Sequence, residues 1–438
     1  MKKKILLVIL IVIILLGIGG TYAYFATDMF KTNKELFFSY IMKNDILKNI
    51  SDDKLTEYIN KQEEKSYTNK GQISIQANGS DIFGTMDESD IETLNNSKIT
   101  FEGKTNNNQK LAEQTLSLEL SQGINIPIKI KRAGEAFGVQ SNLLYNKFIA
   151  IRNEDLKAFF NRFNINTDEI PDKIELSKEQ FTDAEIKTLK DRYTEILNKN
   201  LEMELFSKEK VKGETVISLK ITDKKCFEIL VKTLETARND DILLNKVPEG
   251  VSKEDLQQQI DDMIKNINDT EINENATIEI KVHIKSRTVN KIEIVRMEDN
   301  NETMSIALES NKNELKMSIL EENDQVGELN IIKDSNGNDL IYTITLTGKS
   351  EKENIKVNAK MQYKNIKKLD NVEEICNISV SDEKDAKISL NYNNSKTFDE
   401  NVEIEGLNSD NATILNDASD SEIQNLITTI YKNLQTIQ

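Results

Sequence analysis

Short stretches in which every second residue is hydrophobic occupy two long regions of the sequence. The first region runs from residue 72 to residue 152, and the second begins near residue 269. Alternation with a period of two is typical of antiparallel strands that bury one face and expose the other. The pattern therefore predicts a large antiparallel sheet built as a meander. Clear examples are Ile73–Ile75, Leu116–Leu120, Ile124–Ile130, Ile278–Ile284, Leu340–Leu346 and Ile355–Tyr363.

Helical periodicity replaces this alternation between Pro171 and Asn268. Hydrophobic residues there recur three or four positions apart, which indicates amphipathic helices that bury one stripe. Thr182 and Glu185 have the spacing of a capping box, in which each side chain bonds the other's backbone N–H. The same spacing recurs at Ser419 and Glu422, and it predicts a last helix that covers part of the sheet.

These patterns predict an α+β fold, mainly an antiparallel and curved β-meander covered by amphipathic helices and preceded by one N-terminal transmembrane helix. Residues 1–27 form the cytoplasmic lysine cluster and the membrane anchor, and residues 28–70 form a helical neck. Residues 71–268 form an N-terminal β region with helical cover, and residues 269–438 form the β-meander with its last helix. The last two regions are either two domains or one continuous domain.

The N-terminus carries the strongest signal for localisation. Lys2, Lys3 and Lys4 precede the uncharged stretch Ile5–Thr27, which is long enough to cross a bilayer as a helix. Lysines beside a membrane span favour the cytoplasmic side, so we predict a single-pass protein with residues 28–438 outside the cytoplasm. The alternative is a signal peptide cleaved near Ala23.

The composition of the chain restricts the kinds of functional site that it can contain. Its 438 residues carry a formal charge of -17 but contain one histidine, two cysteines and no tryptophan. Sites that need several imidazoles or thiolates are therefore disfavoured, and we predict neither a metal nor another cofactor. An acidic surface also argues against nucleic acid, because clustered lysine and arginine drive that binding.

Individual polar residues point to structural roles. His283 alternates with Val282 and Ile284, which places it on the polar face of a strand with no nucleophile signalled nearby. Cys226 and Cys376 lie on hydrophobic stripes, so we predict buried thiols, with a disulfide between them as the alternative. The run Asp334–Asp339 resembles a calcium loop but lacks the required glycine, so a hairpin turn is predicted.

Methionines mark one candidate binding surface. Met304, Met317 and Met361, together with Tyr342, fall on the hydrophobic side of their predicted strands. Flexible thioethers adapt to irregular apolar shapes, so such a surface could hold a lipid-like ligand. An ordinary hydrophobic core explains the same pattern.

Four segments carry a resemblance to a known group of proteins: Thr21–Ala26, Ile126–Lys131, Tyr145–Ile151 and Thr413–Asp417. The chain resembles an uncharacterised family of membrane-anchored, extracytoplasmic proteins from clostridia and related Gram-positive bacteria. That resemblance implies localisation but no activity. More distantly, the layout is similar to the curved half-barrels of bacterial lipoprotein carriers of the LolA and LppX type, which implies an apolar ligand.

The leading functional prediction is a non-enzymatic protein of the cell envelope that binds a ligand or a protein partner outside the membrane. The first alternative is a lipid or lipoprotein carrier with an apolar concavity in its sheet. The second is an envelope hydrolase that uses a pair of carboxylates, which sequence alone cannot pair across strands. The predicted partners are the membrane, through the N-terminal helix, and a lipid or an envelope protein.

Overall fold

A computed structural model of the chain describes residues 31–43, 45–78, 88–121, 123, 125–162, 173, 181–246, 252–270, 272–299, 301–349, 354–382 and 387–437. The predicted membrane anchor, Ile5–Thr27, lies outside these ranges. Among the helices within them, none combines the length and the apolar character that a membrane crossing requires.

The helices and strands follow the predicted alternation of periods. The helices are α1 (Asn33–Lys43), α2 (Asp45–Lys48), α3 (Asp53–Glu64), α4 (Glu88–Asn95), α5 (Leu156–Asn161), α6 (Asp183–Asn200), α7 (Asp223–Arg238), α8 (Asp241–Leu244), α9 (Lys253–Asn268) and α10 (Asp420–Ile437). The strands are β1 (Tyr67–Asn78), β2 (Lys98–Asn106), β3 (Leu111–Glu119), β4 (Asn125–Ala133), β5 (Ala136–Ser141), β6 (Tyr145–Arg152), β7 (Phe206–Val211), β8 (Glu214–Thr222), β9 (Thr277–Lys285), β10 (Thr288–Glu298), β11 (Asn301–Asn311), β12 (Glu314–Glu321), β13 (Asp324–Asn336), β14 (Asp339–Lys349), β15 (Asn354–Lys364), β16 (Asn371–Ser381), β17 (Lys387–Phe398) and β18 (Ala412–Ile414). The α+β class with a mostly antiparallel sheet is thereby confirmed.

The described residues divide into two compact units, each assembled from two separate segments. The first unit takes its residues from the chain up to Ser51 and from Glu175 to Ile332. The second takes them from Asp52 to Ile174 and from Lys333 onward. The first unit therefore combines an early and a middle part of the sequence, and the second combines the two parts that flank that middle segment.

The first unit has a conventional two-layer core. Its strands pair antiparallel in the order β7-β8-β9-β10-β11-β12-β13. On β9 the side chains alternate between buried and half-buried, and Ile278, Ile280, Val282 and Ile284 are only 0–6% exposed. Helices α1, α6 and α7 contribute to the same hydrophobic cluster, so this unit meets the expectation that amphipathic helices cover a sheet.

The second unit contains a sheet in which strands from early and late parts of the sequence pair with each other. The strands pair in the order β14-β15-β16-β17-β1-β2-β3-β4-β5-β6-β18. All of these pairings are antiparallel except that of β6 with β18, which is parallel. Helix α3 packs through Tyr58 into a small hydrophobic cluster that includes Leu340 and Val372.

Candidate functional site

The register of the second unit's sheet sorts hydrophobic and polar side chains onto opposite faces. Ile73 on β1 lies opposite Ile99 on β2 and Tyr392 on β17. Successive side chains of a strand point to opposite faces, so alternate positions along each strand share this side. We call it the apolar face and the opposite side the polar face. The apolar face includes Ile73, Ile75, Ile99, Phe101, Leu116, Leu118, Ile128, Ile130, Val139, Tyr342, Ile344, Leu346, Ile355, Val357, Met361, Cys376, Ile378, Val380, Ile388, Leu390 and Tyr392.

The apolar face is not buried in the way that the sequence alternation implies. Every residue of β3 is half-buried, although its hydrophobic and polar residues alternate. In the first unit, β9 shows the expected alternation of burial. Among the described residues, the apolar face therefore lacks the dense cover of an ordinary core. Its most exposed side chains, 37–49% accessible, are Ile75, Ile99, Ile130, Val139, Leu346, Ile355 and Val380.

The predicted ligand residues fall into the two units. Met304 and Met317 belong to the first unit, where Met304 is buried in the core and Met317 packs against it. Tyr342 and Met361 belong to the second unit and are direct cross-strand partners on the apolar face. Cys376 continues the same row beside Met361, and no disulfide involves it because both cysteines are free.

One end of the apolar face carries a polar cluster that sequence analysis missed. Glu374 accepts hydrogen bonds from the hydroxyls of Tyr58 and Tyr392 at 2.8 and 3.0 Å. It also accepts from Asn394 Nδ2 at 2.8 Å and from Lys396 Nζ at 3.1 Å. Burial alone would raise its pKa, but the Lys396 charge and these hydrogen bonds hold the pKa of Glu374 below its usual value.

The hydrogen bonds of this cluster have a structural role. A carboxylate with four donors is fully satisfied and has little capacity left to accept a proton from a substrate. Burial, reinforced by the negative charge of Glu374, raises the pKa of Tyr58, so its hydroxyl stays protonated as a donor. The cluster therefore fixes α3 to the sheet. Five residues from α3, β16 and β17 meet here, and no sequence spacing signals their meeting.

The polar face holds a cleft of about 1020 Å³ in the middle of the sheet. Its floor is formed by β17, β1 and β2, and side chains of β3 and β16 complete it. Hydroxyl and amide groups dominate the lining, with three glutamates and two lysines among them. The hydroxyl and amide side chains on this face are Thr68, Gln72, Thr100, Thr115, Ser117, Asn393, Ser395 and Thr397.

In the first unit, the single histidine belongs to a charged cluster on the sheet. His283 Nε2 lies 3.0 Å from Glu293 Oε2, and Glu293 also pairs with Lys291. Within the described ranges, no group of three or more His, Cys, Asp or Glu side chains has the arrangement of a metal site. Arg296, on the same strand as Glu293, forms a buried ion pair with Asp223 of α7, with Nη2 2.7 Å from Oδ2. Sequence analysis also missed this pair.

The calcium-like run Asp334–Asp339 forms the predicted turn. Gly337 has a φ of +63°, a left-handed conformation that glycine adopts without strain, and Asn338 follows it in the turn. Asp339 Oδ1 accepts a hydrogen bond from the backbone N–H of Asn365 at 3.0 Å. This carboxylate thus holds a neighbouring loop.

Comparisons with known proteins add no family. No family model matches the sequence, and no curated protein matches it. A mutant of transferrin-binding protein B from Haemophilus parasuis Hp5 is 8% identical, with a TM-score of 0.11 and 76% of each chain covered. The same protein from serogroup B Neisseria meningitidis is 8% identical, with a TM-score of 0.12 and 77% of each chain covered. A mutant porin of Rh. blastica is 6% identical, with a TM-score of 0.10, 76% of this chain and 99% of the porin covered. TM-scores this low carry no argument about fold or function.

Proposed function

We propose that this protein is a non-enzymatic binding protein of the cell envelope and that its second unit binds an apolar, lipid-like ligand on the apolar face. In this proposal the N-terminal helix anchors the chain in the membrane, with its N-terminus in the cytoplasm and residues 28–438 outside. The ligand covers the side chains that the described residues leave partly exposed on this face.

The partial exposure of the apolar face is the observation that carries the proposal. Seven aliphatic side chains on this one face are 37–49% exposed. Contiguous exposed apolar surface on a soluble domain usually marks a binding site. Full burial of one aliphatic side chain is worth about 1.5–3 kcal/mol, so covering these seven would release on the order of 5 kcal/mol. That is enough to support binding of a hydrophobic molecule.

The identity of the exposed side chains favours an acyl chain over a protein surface. The most exposed positions are all isoleucine, leucine or valine. Binding energy at protein interfaces concentrates in tryptophan, tyrosine and arginine instead. The row of Tyr342, Met361 and Cys376 adds polarizable sulfur atoms, which adapt to a flexible chain. The likeness to lipoprotein carriers that the sequence suggests would agree with this ligand class.

The two cysteines provide a direct test. Burial raises the pKa of both thiols, to about 12 for Cys226. Cys376 is only half-buried on the apolar face and can be reached by a reagent, whereas Cys226 is buried and stays unreactive. Full-length protein in amphipol is treated with N-ethylmaleimide, with and without a saturated C16 fatty acid. We expect the fatty acid to slow alkylation of Cys376 at least tenfold, because the bound chain covers the thiol.

Matched variants make this test specific. Leu346 and Val380 lie in one cross-strand row, four residues along the strands from the row of Cys376, or about 13 Å. The double variant Leu346→Gln/Val380→Gln should lose most of the protection, because a long acyl chain spans both rows. Val211→Gln, an equally exposed valine on β7 of the first unit, should keep it. Equal alkylation rates with and without fatty acid would refute the proposal.

A further inference from the structure

The carboxylates that line the polar cleft are already paired with lysines. Three carboxylates line it, and within the described residues each has a lysine nearby. Glu102 lies 3.5 Å from Lys70, Glu113 lies 2.6 Å from Lys131, and Glu373 lies 3.1 Å from Lys364. Paired charges offer little to a free cation or to a strongly charged polymer. The cleft therefore favours a neutral ligand.

The remaining lining groups favour a ligand that both donates and accepts hydrogen bonds. The Thr68 hydroxyl can do either, and the Thr100 hydroxyl, which donates to Glu119 at 3.2 Å, can still accept. The amides of Gln72 and Asn393 present both functions, and one N–H of Asn393 already donates to Glu373 at 3.4 Å. Gln72 and Asn393 are direct cross-strand partners, and Thr100 lies opposite Gln72 on the other side. Groups of this kind line three adjacent strands at the usual spacing of about 4.8 Å. Such an array complements the repeated hydroxyls of a sugar chain.

An extended peptide fits this cleft less well. Peptides that bind sheets usually pair with an open edge through their backbone. Here the floor strands are interior, because β1 pairs with both β17 and β2, β2 pairs also with β3, and β17 pairs also with β16. Their backbone groups are therefore engaged on both sides. Recognition in this cleft therefore relies mainly on side chains, which suits a ligand recognised through its own hydroxyl groups.

Packing from the opposite face fixes the floor of the cleft. A Cβ atom at Gly71 would lie 2.5 Å from Phe101 Cζ, so the ring of Phe101 packs directly against the glycine backbone. Phe101 in turn stacks on Tyr392, with ring centroids 6.0 Å apart and an interplanar angle of 20°. A floor held this way keeps Gln72 and its neighbours in place before binding, which lowers the entropic cost of association.

From these observations we infer that the polar cleft of the second unit is a binding site for a neutral, hydroxyl-rich oligosaccharide. The inference does not depend on the proposed apolar ligand, because the two sites lie on opposite faces and use different side chains.

Isothermal titration calorimetry tests the site with chitotetraose and maltoheptaose as probes. The protein is the full chain in lauryldimethylamine oxide, a detergent without a sugar headgroup. We expect saturable binding of at least one of the two oligosaccharides. The double variant Gln72→Ala/Asn393→Ala should weaken that binding at least tenfold. Asn377→Ala, an exposed amide on the polar face outside the cleft, should leave it unchanged.

Hydrogen–deuterium exchange of the unmodified chain provides a test that does not depend on whether the double variant folds. The bound oligosaccharide should slow exchange in peptides from β17, β1 and β2 and leave β9 unaffected. Absence of binding by both probes, or binding that the double variant does not weaken, would overturn the inference. Preferential binding of heparin or of polylysine over both neutral probes would also overturn it.

Discussion

Glu293 shows how single charged residues are held on the first unit's sheet. Its carboxylate lies between His283 on β9 and Lys291 on its own strand, with Lys291 Nζ also 2.9 Å from Glu309. The hydrogen bond from His283 lowers the pKa of Glu293 to about 2, with help from Lys291 and against the effect of burial. The ionised form is therefore stabilised by folding.

We predict that Glu293 contributes to stability in neutral solution and that this contribution disappears in acid. Its pKa in the folded state is depressed, so the contribution is complete above the ordinary value near 4.5 and is lost as the pH falls toward 2. Glu293→Gln should lower the free energy of unfolding at pH 7 by roughly 1–3 kcal/mol. The upper value is the pKa shift of Glu293 converted directly into free energy, and the lower value allows for screening by solvent.

Urea denaturation between pH 7 and pH 2 measures this effect. The variant should lose stability less steeply than the wild type below pH 4.5, because the titrating group is gone. Glu400→Gln is the control, since its exposed ion pair with Lys65 at 3.4 Å is screened by solvent. A variant whose pH profile follows the wild type throughout would contradict the assignment.

Residue positions within a strand were predictable, but their partners were not. The alternation around His283 correctly placed it on the face opposite Val282 and Ile284, which are buried. Its contact with Glu293 depends on how β9 and β10 align, and β10 carries an irregular register near Val289. Local sequence does not determine such an alignment, since it results from the packing of the whole sheet.

At the scale of elements, α3 illustrates how a short helix is fixed to a sheet. Tyr58 is 0% exposed and packs edge-on against Phe398, with ring centroids 6.0 Å apart. Its hydroxyl donates to Glu374, and Lys61 Nζ donates to the carbonyl of Leu369 at 2.5 Å. A helix of this length is marginal alone, so tertiary contacts of this kind provide most of its stability.

We predict that Tyr58→Phe loosens α3 without unfolding the second unit. The substitution keeps the ring but leaves Glu374 with one donor fewer, which costs about 1.5–3 kcal/mol for a charged hydrogen bond. Amide exchange in Asp53–Glu64 should accelerate about tenfold or more, as each 1.4 kcal/mol corresponds to a factor of ten. Tyr431→Phe, which changes an exposed hydroxyl on α10, should not alter exchange. Unchanged protection of α3 in Tyr58→Phe would count against this account.

The sequence predicted the helices and strands better than it predicted what each of them contacts. The capping box at Thr182 and Glu185 forms as expected, and Ser419 and Glu422 make the same reciprocal bonds before α10. Pro127 lies where β4 pairs with β3 but not with β5, a position that tolerates a residue without a backbone N–H. However, α10 leaves Ile427, Tyr431 and Leu434 exposed by 46–65%. Helical period identifies a stripe but does not show what the stripe contacts.

At the scale of the whole molecule, the two units differ in how they bury hydrophobic residues. The first unit closes a core between sheet and helices, whereas the second leaves the apolar face half-exposed. The strand alternation is similar in both, so sequence could not distinguish a covered face from an open one. The sheet of the second unit also depends on pairs such as Ile73 with Tyr392, which are remote in the sequence. Reading the chain in order does not reveal such pairs.

Native mass spectrometry of the full-length protein purified from its own source tests the central claim most directly. We predict that the wild type and the Val211→Gln control retain a co-purifying apolar molecule that the Leu346→Gln/Val380→Gln variant has lost. The reason is that only the double variant changes the apolar face of the second unit. Protein that carries no apolar molecule, or the same molecules in all three forms, would contradict binding of a lipid-like ligand at this face.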